Sequence, residues 1–143
     1  MAAEVASRDV EDVLRERLIS LNYAVNGARK NGETGTDIEA KRGQEVLHIE
    51  AIAFKSSPPA RSKDFYEAFF RAISRLDHGA TTCVIALPAR FGMGMRQRAN
   101  TYGQAWKRLG DAFPELEVWL VDTNDRTYRR TSWAGWLKGE QLL

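Results

Sequence analysis

Asp37, Glu39, His48 and Glu50 fall within one short stretch, GTDIEAKRGQEVLHIEAIAFK, residues 35–55. Two runs of strand character flank Arg42-Gly43-Gln44, a pattern that predicts a tight hairpin. Side chains alternate faces along a strand, so Asp37, Glu39 and Lys41 share one face, as do His48, Glu50 and Ile52 on the partner strand. A turn centred on Gly43 sets Asp37 opposite Glu50 and Glu39 opposite His48. The reverse face carries Ile38, Ala40, Leu47, Ile49, Ala51 and Ala53, an apolar set that belongs against a helix. A one-residue slip in register would mismatch both faces.

Carboxylates facing each other across a sheet repel unless something positive lies between them. A divalent cation meets that need, and Mg²⁺ takes oxygen ligands while keeping several waters for a phosphate-bearing partner. The alternative is a solvated polar face on which Lys41 and Arg42 balance the acids. His48, two residues before Glu50 on the same face, could be a ligand, a base or a hydrogen-bonding surface residue.

The surrounding elements must position these groups. Residues 9–21 place Val10, Val13, Leu14, Leu18 and Leu21 on one helical face, with Asp9 or Ser7 as cap. NYAVNGAR reads as a short strand running into the glycine-bearing loop RKNGETG, and the hairpin strands span 36–41 and 45–54. The prolines of KSSPPARS argue against regular structure there. Ser62 then caps a helix whose Phe65, Ala68, Phe69, Ala72, Ile73 and Leu76 form a continuous apolar stripe. TTCVIALP is the apolar run of a central buried strand that also buries the one cysteine, Cys83. A single helix over MRQRANTYGQAWKRLG turns Met95, Ala99, Tyr102, Trp106 and Leu109 inward. LEVWLVD is a further strand, RTYRR a short edge strand, and Trp133 and Trp136 occupy a tail of ambiguous type, where they are expected to pack back on the body. The order predicts an α/β fold with a mixed central sheet flanked by helices.

LNYAVNGARKNGETGTDIEAKRGQEVLHIEAIAFK resembles the core of the PD-(D/E)XK nuclease superfamily, the restriction-endonuclease-like and Holliday-junction-resolvase-like fold. The shared features are a helix, a strand opening with LNY, a glycine loop, Asp37 in GTD and Glu50 in IEA. The order of elements also matches that family's α-β-β-β-α-β core, over roughly residues 9–122. The resemblance implies metal-assisted hydrolysis of DNA phosphodiester bonds, with Asp37 and Glu50 as ligands to Mg²⁺ or Mn²⁺. It also implies a further ligand from the first helix, Glu11 ahead of Asp12 or Glu16. The ion would lower the pKa of a bound water and offset charge developing on the phosphate.

The chain departs from the family at position 52, where Ile52 stands in place of the lysine of Glu-x-Lys. Lys55 is the first candidate substitute, with Lys41 and Lys63 behind it. The alternative is a fold that has lost its chemistry and survives as a nucleic-acid-binding or partner-docking module.

Bulk properties fit either reading. At 143 residues, 43% hydrophobic and 28% charged, the chain is expected to form a single domain, 1–143. No apolar run approaches the roughly 20 residues of a membrane span. The N-terminus lacks a signal pattern, so a cytoplasmic location is expected. The net charge of +2 is small but unevenly spread, because no carboxylate occurs from His78 to Gly110. Arg96 and Arg98 lie in that acid-free stretch, while Arg61 and Lys63 lie in another, and all four are candidate DNA-phosphate contacts. Tyr66 and Tyr102 are candidate base-stacking residues, though both also suit a helix core. Targeting would fall to a homodimer or a partner protein, with Trp133 and Trp136 available for such an interface.

Overall fold

The computed structural model describes residues 4–27 and 37–138. The glycine-bearing loop expected over 29–35, and residue 36 of the strand expected after it, lie outside the described residues. Helix α1 (Ser7–Ser20) is followed by β1 (Ala24–Val25), β2 (Ile38–Arg42), β3 (Glu45–Ala51) and helix α2 (Pro58–Ser74). A 3₁₀ turn, Arg75–His78, leads into β4 (Thr82–Pro88), and a second, Ala89–Phe91, leads into α3 (Gly92–Thr101). Helix α4 (Gly103–Ala112), β5 (Leu116–Asp122), β6 (Thr127–Ser132) and α5 (Trp133–Lys138) complete the order.

The six strands lie side by side in sequence order, β1 to β6. The β1-β2-β3 meander is antiparallel, β3-β4-β5 is parallel, and β6 returns antiparallel on β5. Parallel neighbours need crossovers, and these are α2 between β3 and β4 and α3-α4 between β4 and β5. The expected mixed α/β sheet, covered by helices on both faces, is the fold observed.

Alternation along the strands divides the core in two. Ile38, Ala40, Leu47, Ile49, Val84, Ala86 and Trp119 meet Val10, Val13, Leu14 and Leu18 of α1. Ile85, Leu87 and Val118 point the other way, toward Phe65, Ala68 and Ala72 of α2, Met95 of α3, Trp106 of α4 and Trp133 of α5. The apolar hairpin face therefore lies on α1 as expected, and the polar one lies on the α2 side. Gly43 supplies the turn, with φ +59°.

Four expectations are corrected. Helix α2 begins four residues before Ser62. Pro58 and Pro59 occupy its first two positions, where no backbone donor is needed, and Ser57 accepts from the Ala60 N–H. Helix α1 starts at Ser7 with Ala6 as cap and no side-chain cap bond, leaving Asp9 in the first turn. The single helix expected across Tyr102 is two helices that meet at Tyr102-Gly103. Gly103, a weak helix former, follows the break, and Tyr102 is left 51% exposed instead of inward.

Trp133 and Trp136 are buried in the core, so they pack back on the body as expected, and the interface also considered for them is corrected. The Trp106 and Trp133 rings stack 3.8 Å apart, and each indole N–H donates to the other residue's backbone carbonyl, at 2.8 and 2.9 Å. This reciprocal clasp ties α5 to α4. Replacing Trp133 by alanine removes the stack and one of the two clasping hydrogen bonds and leaves a cavity, so urea unfolding is expected to show a loss of about 3–5 kcal/mol. A loss below about 1 kcal/mol would show that the clasp does not hold the helices together.

Candidate active site

The hairpin register pairs Ile38 with Ile49 and Glu39 with His48, which brings Asp37 level with Glu50. Asp37 is held at its side chain and at its backbone. Its Oδ2 accepts from the Ala51 N–H at 2.9 Å, and its backbone carbonyl accepts from Arg15 Nη2 of α1 at 2.8 Å. Arg15 Nη1 also donates to the Asn26 carbonyl, and Asn26 exchanges hydrogen bonds with the backbone of Glu39. Helix α1, the chain after β1 and the start of β2 are thus locked together behind the carboxylate.

Glu50 is 4% exposed and lies beneath the α2 side of the sheet. Its Oε1 accepts from Arg75 Nε at 3.2 Å and Nη2 at 2.9 Å. The Asp37 carboxyl lies close enough to Glu50 to act on its protonation. Burial first, then the charge of Asp37, push the Glu50 carboxyl from its ordinary 4.5 up to about 7, and the Arg75 guanidinium only partly offsets them. Glu50 is therefore not part of a solvated face, whereas the partly exposed Glu39 is balanced by Lys41 at 3.1 Å, as that alternative expects.

His48 is equally buried, and neither ring nitrogen has a hydrogen-bond partner among the described residues. Its Nε2 lies 3.6 Å from Glu39 Oε2, beyond hydrogen-bond reach. Burial lowers its pKa more than Glu39 raises it, which favours the neutral imidazole.

The three lysines considered as substitutes for the residue at position 52 are all ion-paired elsewhere. Lys55 Nζ lies 2.9 Å from Asp64, Lys41 pairs with Glu39 at 3.1 Å, and Lys63 pairs with Glu67 at 3.7 Å. Ile52 itself packs in the core with Phe54 and Phe65. The cation that reaches Glu50 is Arg75, at the end of α2. No periodicity in the sequence marks it, because its role depends on a long side chain reaching back along the strand. The nearest signal was its place next to Leu76, at the edge of the apolar stripe.

On α1, Glu11 is half-buried one turn before Arg15. Among the described residues no group of three or more His, Cys, Asp or Glu side chains is arranged to hold one ion. Glu11 therefore does not complete a ligand set with Asp37 and Glu50. Asp12 is exposed, and the Glu16 carboxylate is ion-paired to Arg126 in the β5–β6 turn. Two hard oxygen donors remain for a cation, a number that suffices for an ion that keeps most of its waters.

Of the basic residues, Arg61 and Arg98 converge with Arg90 around Phe54 and Phe91, while Arg96 and Lys63 are exposed on α3 and α2. No family model, characterised protein or solved structure matches the chain. Among the described residues no helix is long and apolar enough to cross a membrane.

The two buried groups have opposite linkage to pH. The folded-state pKa of Glu50 is raised, so its stabilising contribution is complete below 4.5 and is lost as pH climbs through about 7. That of His48 is lowered from 6.5, so its contribution is present above 6.5 and lost as pH falls through the folded value. Glu50→Gln removes only the first. Between about pH 5 and pH 8 the variant's unfolding free energy, read from urea denaturation, should gain on wild type by an amount on the order of 3 kcal/mol. A difference that does not change with pH would mean that Glu50 titrates normally.

Proposed function

We propose that the protein is a metal-dependent endonuclease-like hydrolase of DNA phosphodiester bonds, with Asp37 and Glu50 holding Mg²⁺ or Mn²⁺. The observation that carries this reading is the buried Glu50 carboxyl set beside the half-buried Asp37. Burying one acid next to another lowers stability, and a well-packed apolar residue would serve the fold at least as well. A divalent cation turns that electrostatic cost into binding energy, and when bound it would supply an acidified water and a counter-charge for the phosphate.

The chain's own residues have distinct tasks. Asp37 is held through its backbone by Arg15 and through Oδ2 by the Ala51 N–H, which fixes the orientation of its carboxylate. Arg75 orients Glu50 by donating twice to one oxygen, Oε1. We assign Arg75 the charge-balancing task that Ile52 cannot perform, as a positioning residue acting through Glu50. With a carboxyl poised at about 7, Glu50 can also take up or release a proton near neutral pH.

A second reading has its own support. The Arg75–Glu50 ion pair already neutralises the site, and Ile52 is packed as core. Both suit a nuclease fold without chemistry, serving as a nucleic-acid-binding module or docking on a partner or second copy.

Calorimetric titration with Mg²⁺ and Mn²⁺ separates the two. Wild type is expected to bind one ion, with affinity rising and protons released as pH passes about 7, and Asp37→Ala and Glu50→Ala should each abolish the heat. Arg75→Ala should weaken metal binding or cleavage of DNA by about 10- to 100-fold, while Lys55→Ala stays near wild type. Absence of metal binding by wild type would leave only the second reading.

A further inference from the structure

Beyond the acid pair, the chain turns that follow β3 and β4 build a second feature. Phe54 and Phe91 meet edge to face, with ring centroids 5.3 Å apart. The guanidiniums of Arg61 and Arg90 lie over the Phe54 ring at 4.5 and 5.1 Å, and that of Arg98 lies 5.7 Å from Phe91. These groups line a hollow of about 290 Å³. A second hollow, about 340 Å³, adjoins it through Gly94 and Arg98 and is walled by Tyr66 and Tyr102. A Cβ at Gly94 would stand 3.3 Å from Arg98 Nη1, so glycine there leaves the guanidinium its place between the two hollows. Among the described residues no carboxylate lines either one.

The arginines are held in place. Arg61 Nη1 donates to the Lys55 and Ser56 carbonyls, and Arg98 Nη2 donates to Ser62 Oγ. Each uses one nitrogen internally and keeps further donors for a ligand. The two tyrosines form an edge-to-face pair at 6.3 Å, yet Tyr66 is 42% and Tyr102 51% exposed. Large aromatic surface is thus presented to solvent next to fixed positive charge.

We infer that this double hollow binds single-stranded DNA, with phosphates along Arg61, Arg90 and Arg98 and unpaired bases stacked on Tyr66 and Tyr102. A row of guanidiniums free of acids attracts a phosphodiester backbone. Aromatic faces select a strand whose bases are unstacked, because bases in a duplex are already stacked on one another. An acidic peptide would satisfy the arginines and leave the tyrosines without a partner. The inference rests on the proposed function only for the identity of the polymer as DNA, and it concerns binding, which needs neither metal nor cleavage.

The test is fluorescence anisotropy in EDTA with a labelled oligothymidylate of roughly 12 nucleotides, a length within the range such grooves cover. The single strand should bind at least about tenfold more tightly than a duplex of equal length, and inorganic polyphosphate should compete poorly. Tyr66→Ala and Tyr102→Ala, both at exposed positions, should each weaken binding by about tenfold. Arg61→Gln should flatten the salt dependence of log K by about 0.7. Duplex binding as tight as single-strand binding, tyrosine variants without effect, or full competition by polyphosphate would each overturn the proposal. Because EDTA removes metal, such a failure is independent of the calorimetric result at Asp37 and Glu50.

Discussion

Glu50 places a carboxyl beside that of Asp37 and away from water, and much of the structure follows from accommodating it. The group is 4% exposed, so neither bulk solvent nor a mobile surface lysine can neutralise it. The compensating charge must come from a side chain held at that depth, and the 3₁₀ turn that ends α2 provides one in Arg75, itself only 15% exposed. On the opposite side of the hairpin, Arg15 of α1 secures the backbone of Asp37, so the two carboxyls cannot relax apart by bending the start of β2. Helices from both faces of the sheet thus take part in holding two acids together.

Ile52 belongs to the same balance. It lies two residues beyond Glu50 on the α2 face and packs with Phe54, Phe65 and Ala68. A lysine there would bring a charge and its water toward the acids, whereas isoleucine keeps that side of Glu50 dry. Desolvation is the largest cause of the raised Glu50 pKa, so an apolar side chain at position 52 adds to that effect where a cation would oppose it. His48 carries the same signature one step earlier on β3, where burial outweighs the pull of Glu39. Both groups are consequently biased toward their neutral forms near neutral pH, through opposite proton movements.

Features governed by short-range periodicity were legible in the sequence. The β4 and β5 runs stand where an apolar stretch and alternation placed them, and the pairing of Glu39 with His48 followed from a period of two and one glycine turn. Features decided by tertiary context were not. Pro58 and Pro59 indicated a loop, yet the first turn of a helix accepts both. Tyr102 matched the inward spacing of a continuous helix, but a break before Gly103 turned it outward while Trp106 met Trp133 in the core. At the site, the two acids were readable and their cation was not. Lys55, Lys41 and Lys63 are nearer in sequence to the expected position, but each has an acidic neighbour of its own, and the choice of ion pair is settled only in three dimensions.

The topology explains why the acid pair and the arginine-aromatic hollows belong to one end of the molecule. In a sheet with parallel strands, ligands gather beyond the carboxyl ends, where crossovers leave the strands and open a crevice. Strand β3 ends at Ala51, whose N–H holds Asp37, and the chain leaving it reaches Phe54 within three residues. Strand β4 ends at Pro88, three residues before Phe91, and these two exits meet as the Phe54–Phe91 contact. The bridge between Phe54 and Val5 pins the first exit to the segment leading into α1. Because parallel pairing keeps both ends level, with Ala51 beside Ala86, the β3 and β4 exits cannot separate without breaking the sheet.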